Sequence, residues 1–312
     1  MARRTLSGLA WLASVSMVAV VSVGCSSSSS PAENLGGDAG TDTGLGSPDE
    51  GFTLDTAALG DTPATGESGP TSDVLNVTIR DFKFHDPADP STDPDFENSP
   101  KTDASGAPST TYLGPWDDRA IVADALGADG KPVYKSPGGV TLTTHGKDAF
   151  DKWYRDAPGT NLAVAVPLHL TKNPDGSFEY DSEKTGVPLS ATDPIKQFFP
   201  IDDGTPYATA FGNQGKPHNY SFTVELRTTF VYKGGEFFNF RGDDDVFVYV
   251  DKKLVINLGG IHGPETANVK VDDLGLTKGN EYPLDFFSAE RHVTGSNILF
   301  QTTLDLKPAV VK

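Results

Sequence analysis

Cysteine is almost absent. Of 312 residues only Cys25 is a cysteine, so no intramolecular disulfide can staple the fold. With no second cysteine and no H-E-x-x-H, the usual zinc signatures are missing too. The chain also lacks a G-x-S-x-G elbow, a phosphate-binding P-loop and a Cys–His pair. Long hydrophobic runs are scarce: the main one covers 9–23, is broken by Ser14, Ser16 and Ser22, and falls short of the roughly 20 residues of a transmembrane helix. Positive charge is in deficit, with 25 Lys and Arg against 43 Asp and Glu, a net charge of −18. That balance argues against nucleic acid and against an anionic membrane surface as partners.

What the N-terminus does contain is an export signal. Arg3 and Arg4 precede the apolar stretch, which closes on Ser22-Val23-Gly24-Cys25. Small residues before a lone cysteine are the pattern of a bacterial lipoprotein signal. Residues 1–24 are expected to be removed, leaving Cys25 as a lipidated N-terminus. The alternatives are an uncleaved anchor or an ordinary signal peptide with an incidental cysteine. Lipidation gives the thiol a use, and each buried acyl methylene contributes about 0.8 kcal/mol to membrane anchoring. Ser26, where an Asp would resemble an inner-membrane retention signal, points to the outer membrane or cell surface.

Residues 25–72 read as a tether. After Cys25 they are rich in Ser, Gly, Thr and Pro and carry eight acids, no Lys or Arg and one aromatic residue, Phe52. Such a composition cannot offset the entropy of ordering and is expected to be disordered. Its reach, roughly 35–40 Å, would hold a domain clear of a lipid surface. From Asp73 the composition changes, and 73–312 is long enough to bury a core as one domain. This part still has 35 acids against 23 bases, which suits cation-dependent binding.

The fold class expected for 73–312 is all-β. Strand patterns fall at 75–80, 162–170, 177–180, 220–232, 246–250, 254–257, 268–271, 282–287 and 298–306. The run from Tyr220 to Thr228 alternates strictly, so one face packs and the other meets water. Val246-Phe247-Val248-Tyr249-Val250 is apolar on both faces, as in a central strand, and Asp251-Lys252 is placed to turn it back into a hairpin. One helix is expected at 148–155, where Phe150, Trp153 and Tyr154 form an i, i+3, i+4 stripe ended by Pro158-Gly159. Many short strands with 33 Gly, 23 Pro and little helix point to a β-sandwich.

Two clusters could carry chemistry. Asp243, Asp244 and Asp245 stand consecutively at the entrance of the 246–250 strand. Adjacent like charges call for a counter-charge, and calcium, which takes six to eight oxygen ligands, is the natural candidate. An acidic turn whose carboxylates cap backbone amides is the other open reading. The second cluster is Glu290, Arg291 and His292 leaving one strand, with Ser296 and Asn297 opening the last. Oxygens in such a turn can complete a calcium shell or grip sugar hydroxyls; alternatively a Glu290–Arg291 pair only fixes the loop. Arg241-Gly242-Asp243 spells an adhesion tripeptide and is taken as chance. His85, His145 and His218 fall in loops with no partner visible in the sequence.

Around these clusters the chain resembles the fibro-slime domain, a branch of the wider PA14 family. The resemblance spans most of 75–308 and rests on five blocks in order. They are the opening Val77–Phe82 with 93–98, the aromatic segment 150–161, Phe198-Phe199-Pro200-Ile201-Asp202, the stretch 241–264, and 284–292. It implies a PA14-like β-sandwich with minor helices on a secreted or surface protein. Some PA14 relatives bind carbohydrate through calcium with an Asp-Asp pair joined by a cis peptide. Aligning Asp251 places that pair at Asp243-Asp244, with Asp245 one residue out of register. By position Asn297 would complete the ligand set. The expected function is a binding or adhesion module that recognises carbohydrate or matrix, with calcium as a tentative cofactor, and not an enzyme. A structural slime-matrix protein with calcium as a staple is the alternative, and a glycoside hydrolase using Asp244 with Glu290 comes after it.

Overall fold

The alternation read from the sequence resolves into two stacked sheets in the computed structural model, which describes residues 73–96 and 116–307. Residues 1–72, where the export signal, the lipidated Cys25 and the tether are expected, lie outside the described residues. Six strands form one sheet in the spatial order Lys253–Leu258, Asp245–Val250, Glu281–Glu290, Phe222–Val231, Val74–Phe82 and Asn161–His169. Five form the other: Glu265–Lys270, Phe237–Gly242, Ile298–Thr302, Phe178–Asp181 and Thr171–Lys172. All pairings in both sheets are antiparallel.

Why one strand is apolar on both faces is now clear. Val246, Val248 and Val250 point between the sheets, where they meet Phe238, Phe240 and Phe300 of the facing sheet. Phe247 and Tyr249 point the other way, into a second core. The neighbouring strand divides alike: Leu284 and Phe286 face inward, Phe287 and Ala289 outward. The outer core is roofed by Phe96, Ile121, Val122, Tyr134, Phe150, Trp153 and Tyr154. Each such side chain, fully buried, contributes about 1.5–3 kcal/mol. The six-stranded sheet is thus a middle layer, covered by the second sheet on one face and by aromatic loops on the other.

Most strand expectations hold to within a few residues, and the turn at Asp251-Lys252 forms with φ values of 49° and 63°. Phe237–Gly242 is an unexpected strand. It alternates cleanly, with Phe238 and Phe240 buried, but lies against the triple Asp and reads as the approach to a loop. The expected helix is one turn only, Lys147–Phe150. Beyond it the amides of Lys152 and Trp153 bond to carbonyls three residues back, and the segment continues as tight turns. The aromatic stripe survives the change, since Phe150, Trp153 and Tyr154 are fully buried. A further single turn, Ser182–Thr185, is capped by Asp181, which accepts a hydrogen bond from the Glu183 amide at 3.0 Å.

Candidate cation and ligand site

Three chain crossings between the sheets meet at one end of the sandwich. Asp243 and Asp244 connect Phe237–Gly242 of one sheet to Asp245–Val250 of the other. Residues 259–264 carry the chain back from Lys253–Leu258 to Glu265–Lys270. Residues 291–297 cross from Glu281–Glu290 to Ile298–Thr302. Between them opens a pocket of about 350 Å³, lined by Asp243, Asp244, Ile261, His262, Gly263, Pro264 and 292–295, with Leu189 and Gln197 closing it from another segment.

Hydrogen bonds lock the crossings together. Asp243 Oδ1 accepts the Asn297 amide at 2.5 Å, and the two oxygens of Asp244 accept the amides of His262 and Arg291, each at 3.2 Å. The peptide between Asp243 and Asp244 is cis. Gly242 is required just before it, because a Cβ there would lie 2.6 Å from both the Asn297 carbonyl and the Phe240 ring. Gln197 Oε1 accepts the Ser296 amide at 2.8 Å and so ties the outer wall to the 291–297 crossing.

Burial dominates the electrostatics of the acids at this corner. Burial pushes the Asp243 carboxyl up to about 7. Burial also pushes Asp244 well above the carboxylate range, and the neighbouring Asp245 and Asp243 charges add to this while Arg291 opposes it. Glu290 is likewise driven well up, first by burial and then by the charges of Asp244 and Asp243.

Asp245 belongs to a different piece of machinery. It does not line the pocket. Its Oδ1 accepts the Gly260 amide at 2.7 Å and its Oδ2 accepts Arg291 Nε at 2.6 Å. Arg291 is fully buried. Burial alone would lower its pKa, but the Asp245 charge and hydrogen bond, together with the Asp95 and Asp244 charges, outweigh that and raise it, while burial raises the Asp245 carboxyl against the pull of Arg291. The guanidinium also donates to the Thr143 carbonyl at 2.9 Å and lies 4.6 Å over the Trp153 ring. Asp95 completes this layer by accepting Trp153 Nε1 at 3.2 Å and the His145 amide at 2.7 Å.

Several expectations from sequence change accordingly. Asp243, Asp244 and His292 do line one pocket. Asp245 lies away from the pocket, with its oxygens turned to Gly260 and Arg291 on the other face of the strand. Arg291 does not line the pocket, and it pairs with Asp245 in place of Glu290, because residues 290 and 291 project to opposite faces. Asn297 comes to the site through its amide. Its side chain turns outward, accepting Arg241 Nε at 3.0 Å and donating to Glu183 at 3.3 Å. Ser296 and Glu290 are buried and do not line the pocket. His145 and His218, read as loop residues without partners, are engaged: His145 Nδ1 lies 2.8 Å from Asp95, and His218 lies 2.6 Å from Asp202 and stacks on Phe199. Sequence reasoning missed His262, although it sits inside the quoted 241–264 block. It also missed Leu189 and Gln197, which no local pattern marks.

Calcium fits this site in donor chemistry. Asp243 and Asp244 line the pocket with carboxylates, the hard oxygen donors calcium takes, and the Gly263 and Val293 carbonyls of the flanking crossings lie against the His262 and His292 rings. Among the described residues, no three His, Cys, Asp or Glu side chains already stand in a ligating arrangement. Two adjacent carboxylates are the acidic donors that the pocket wall offers.

Residues 199–310 match the PA14 domain model. The matched region contains the Asp243-Asp244 connection and all three crossings that meet at the pocket. Curated relatives come from Dictyostelium discoideum. Protein psiR is 38% identical over 237 residues, covering 75% of this chain and 21% of psiR. Protein psiD is 39% identical over 195 residues, covering 59% of this chain and 36% of psiD. Protein psiB is 49% identical over 151 residues, covering 47% of this chain and 25% of psiB. The chain spans about a fifth to two fifths of the length of the curated relatives it matches. Among solved structures, the PA14 sugar-binding domain from an RTX adhesin is 14% identical, with a TM-score of 0.25 over 73% of this chain and 88% of that one. The PA14 domain of the MpAFP antifreeze protein is 12% identical, with a TM-score of 0.24 over 77% of this chain and 86% of that one.

Proposed function

We propose that the domain is an extracytoplasmic binding module whose pocket takes a carbohydrate through a calcium ion held by Asp243 and Asp244. The observation that carries this is the pair of adjacent buried carboxylates on the wall of an open pocket, where an opposite charge would stabilise them. A bound divalent ion supplies that charge and leaves coordination positions for vicinal hydroxyls of a sugar. The residues of this chain hold the ion, orient the ligand and shield it: His262 and His292 flank the carboxylates, and Leu189, Ile261 and Pro264 give the walls apolar surface. The finer assignments belong to the same proposal: a fibro-slime branch of PA14, a lipid anchor at Cys25, and outer-membrane or cell-surface display for adhesion. The hydrolase reading has less support, because Glu290 does not reach the pocket where a substrate would meet Asp244.

A glycan array probed with and without calcium tests the reading. Calcium-dependent binding of a defined glycan set, lost with chelator, is the expected result. Binding that ignores chelator would remove calcium from the proposal. Membrane fractionation of Cys25→Ser tests the anchor, with loss of membrane association expected.

A further inference from the structure

Among the described residues, Glu290 is the carboxylate with both oxygens buried and unbonded, and it is 2% exposed. Ser296 and the main chain of His292 are the nearest polar groups, neither in bonding geometry. Leaving a buried acid so placed is costly unless something answers its charge.

The register says what it faces. Asp245 pairs with Ala289 on antiparallel strands, so one step outward Asp244 stands opposite Glu290. Asp245 points into the aromatic layer, as its bond to Arg291 shows, and the pleat therefore turns Asp244 and Glu290 to the inner face. Like charges directly across a strand pair destabilise a sheet. Nearby cations relieve this pair only in part, Arg291 opposing the rise at Asp244 from the other face of the strand. Arg291 is committed to Asp245 and Thr143, and Arg241 to Asn297, Asp181 and Glu183. Both ring nitrogens of His262 lie against main-chain carbonyls, of Gly263 at 2.8 Å and Leu258 at 3.1 Å.

We propose that Glu290 supplies the third negative charge of the cation site, held behind Asp244 inside the sandwich and not on the pocket wall. The inference rests on the calcium reading above. With Asp245 neutralised by Arg291, two carboxylates face the ion from the pocket wall, and Glu290 adds its charge from behind them without being a ligand. A divalent ion leaves that set one charge short, and a trivalent ion balances it.

The test is calorimetric titration of Ca²⁺ and of Tb³⁺ into the chelator-stripped full-length protein, beside Glu290→Gln and Asp244→Asn. Glu290→Gln keeps the side chain's shape and removes only its charge. Its calcium affinity is expected to fall roughly 10–100-fold, the range seen for groups that support metal ligands from behind. The loss for Tb³⁺ should be larger than for Ca²⁺, and in chelator the variant should melt higher than wild type. A purely structural Glu290 would change stability without changing the Tb³⁺-to-Ca²⁺ ratio. Wild-type affinities retained in Glu290→Gln, with binding lost in Asp244→Asn, would overturn this inference and leave the calcium site standing. An equal loss for both ions would also overturn it. Absence of cation binding by the wild type would overturn both.

Discussion

Arg291→Met is the sharpest test of how the pocket is supported. The substitution keeps the main-chain amide that bonds to Asp244 and removes the guanidinium behind it. Asp245 would then be a fully buried carboxylate whose remaining bond is the Gly260 amide at 2.7 Å. The Thr143 carbonyl would lose its 2.9 Å donor and Trp153 its cation at 4.6 Å. Breaking one side of a buried ion pair costs about 3–5 kcal/mol. For a domain of this size each kcal/mol moves the melting temperature by about 2–4 °C, so thermal unfolding followed by circular dichroism should show a fall of roughly 6–20 °C. Adding Asp245→Asn should recover much of it, because the lone charge is gone while an oxygen remains for Gly260. A loss below about 1 kcal/mol, or a double variant no better than the single, would refute the claim that this pair holds the corner.

The remaining expectations follow from the same groups. Asp81, Asp93 and Asp243 are each pushed up to about 7 from a reference of 3.8, chiefly by burial. The folded state thus binds more protons than the unfolded one between about pH 4 and 7, and without calcium stability should fall as pH rises through that window. Melting temperatures in chelator at pH 5 and pH 8 check the sign, and the stabilisation by calcium should be larger at pH 8. Gly242→Ala places a Cβ 2.6 Å from the Asn297 carbonyl and should destabilise by about 1–3 kcal/mol in urea unfolding.

Local pattern made much of this molecule legible. The alternation from Tyr220 and the doubly apolar run at Val246 announced central strands, because side-chain direction has a fixed period of two. The Asp243-Asp244 pair and His292 were found because they flank strand ends. Long-range geometry was hidden. Asp245 and Arg291 lie 46 residues apart in sequence and meet only through pairing of their strands. Nothing local told Asp244 from Asp245, since one residue of register flips a side chain to the other face. Asn297 looked like a ligand by position, yet Arg241 and Glu183 claim its side chain. Leu189 and Gln197 reach the pocket from a segment whose placement depends on distant contacts, such as His218 bonding to the Leu189 carbonyl at 2.8 Å.

The central claim is that Asp243 and Asp244 hold a cation on the pocket wall. Calorimetric titration of calcium into chelator-stripped protein, beside Asp243→Asn and Asp244→Asn, tests it most directly. The account predicts saturable binding at one site in the wild type and its loss in both variants. Absence of binding in the wild type, or undiminished binding in both variants, would contradict it.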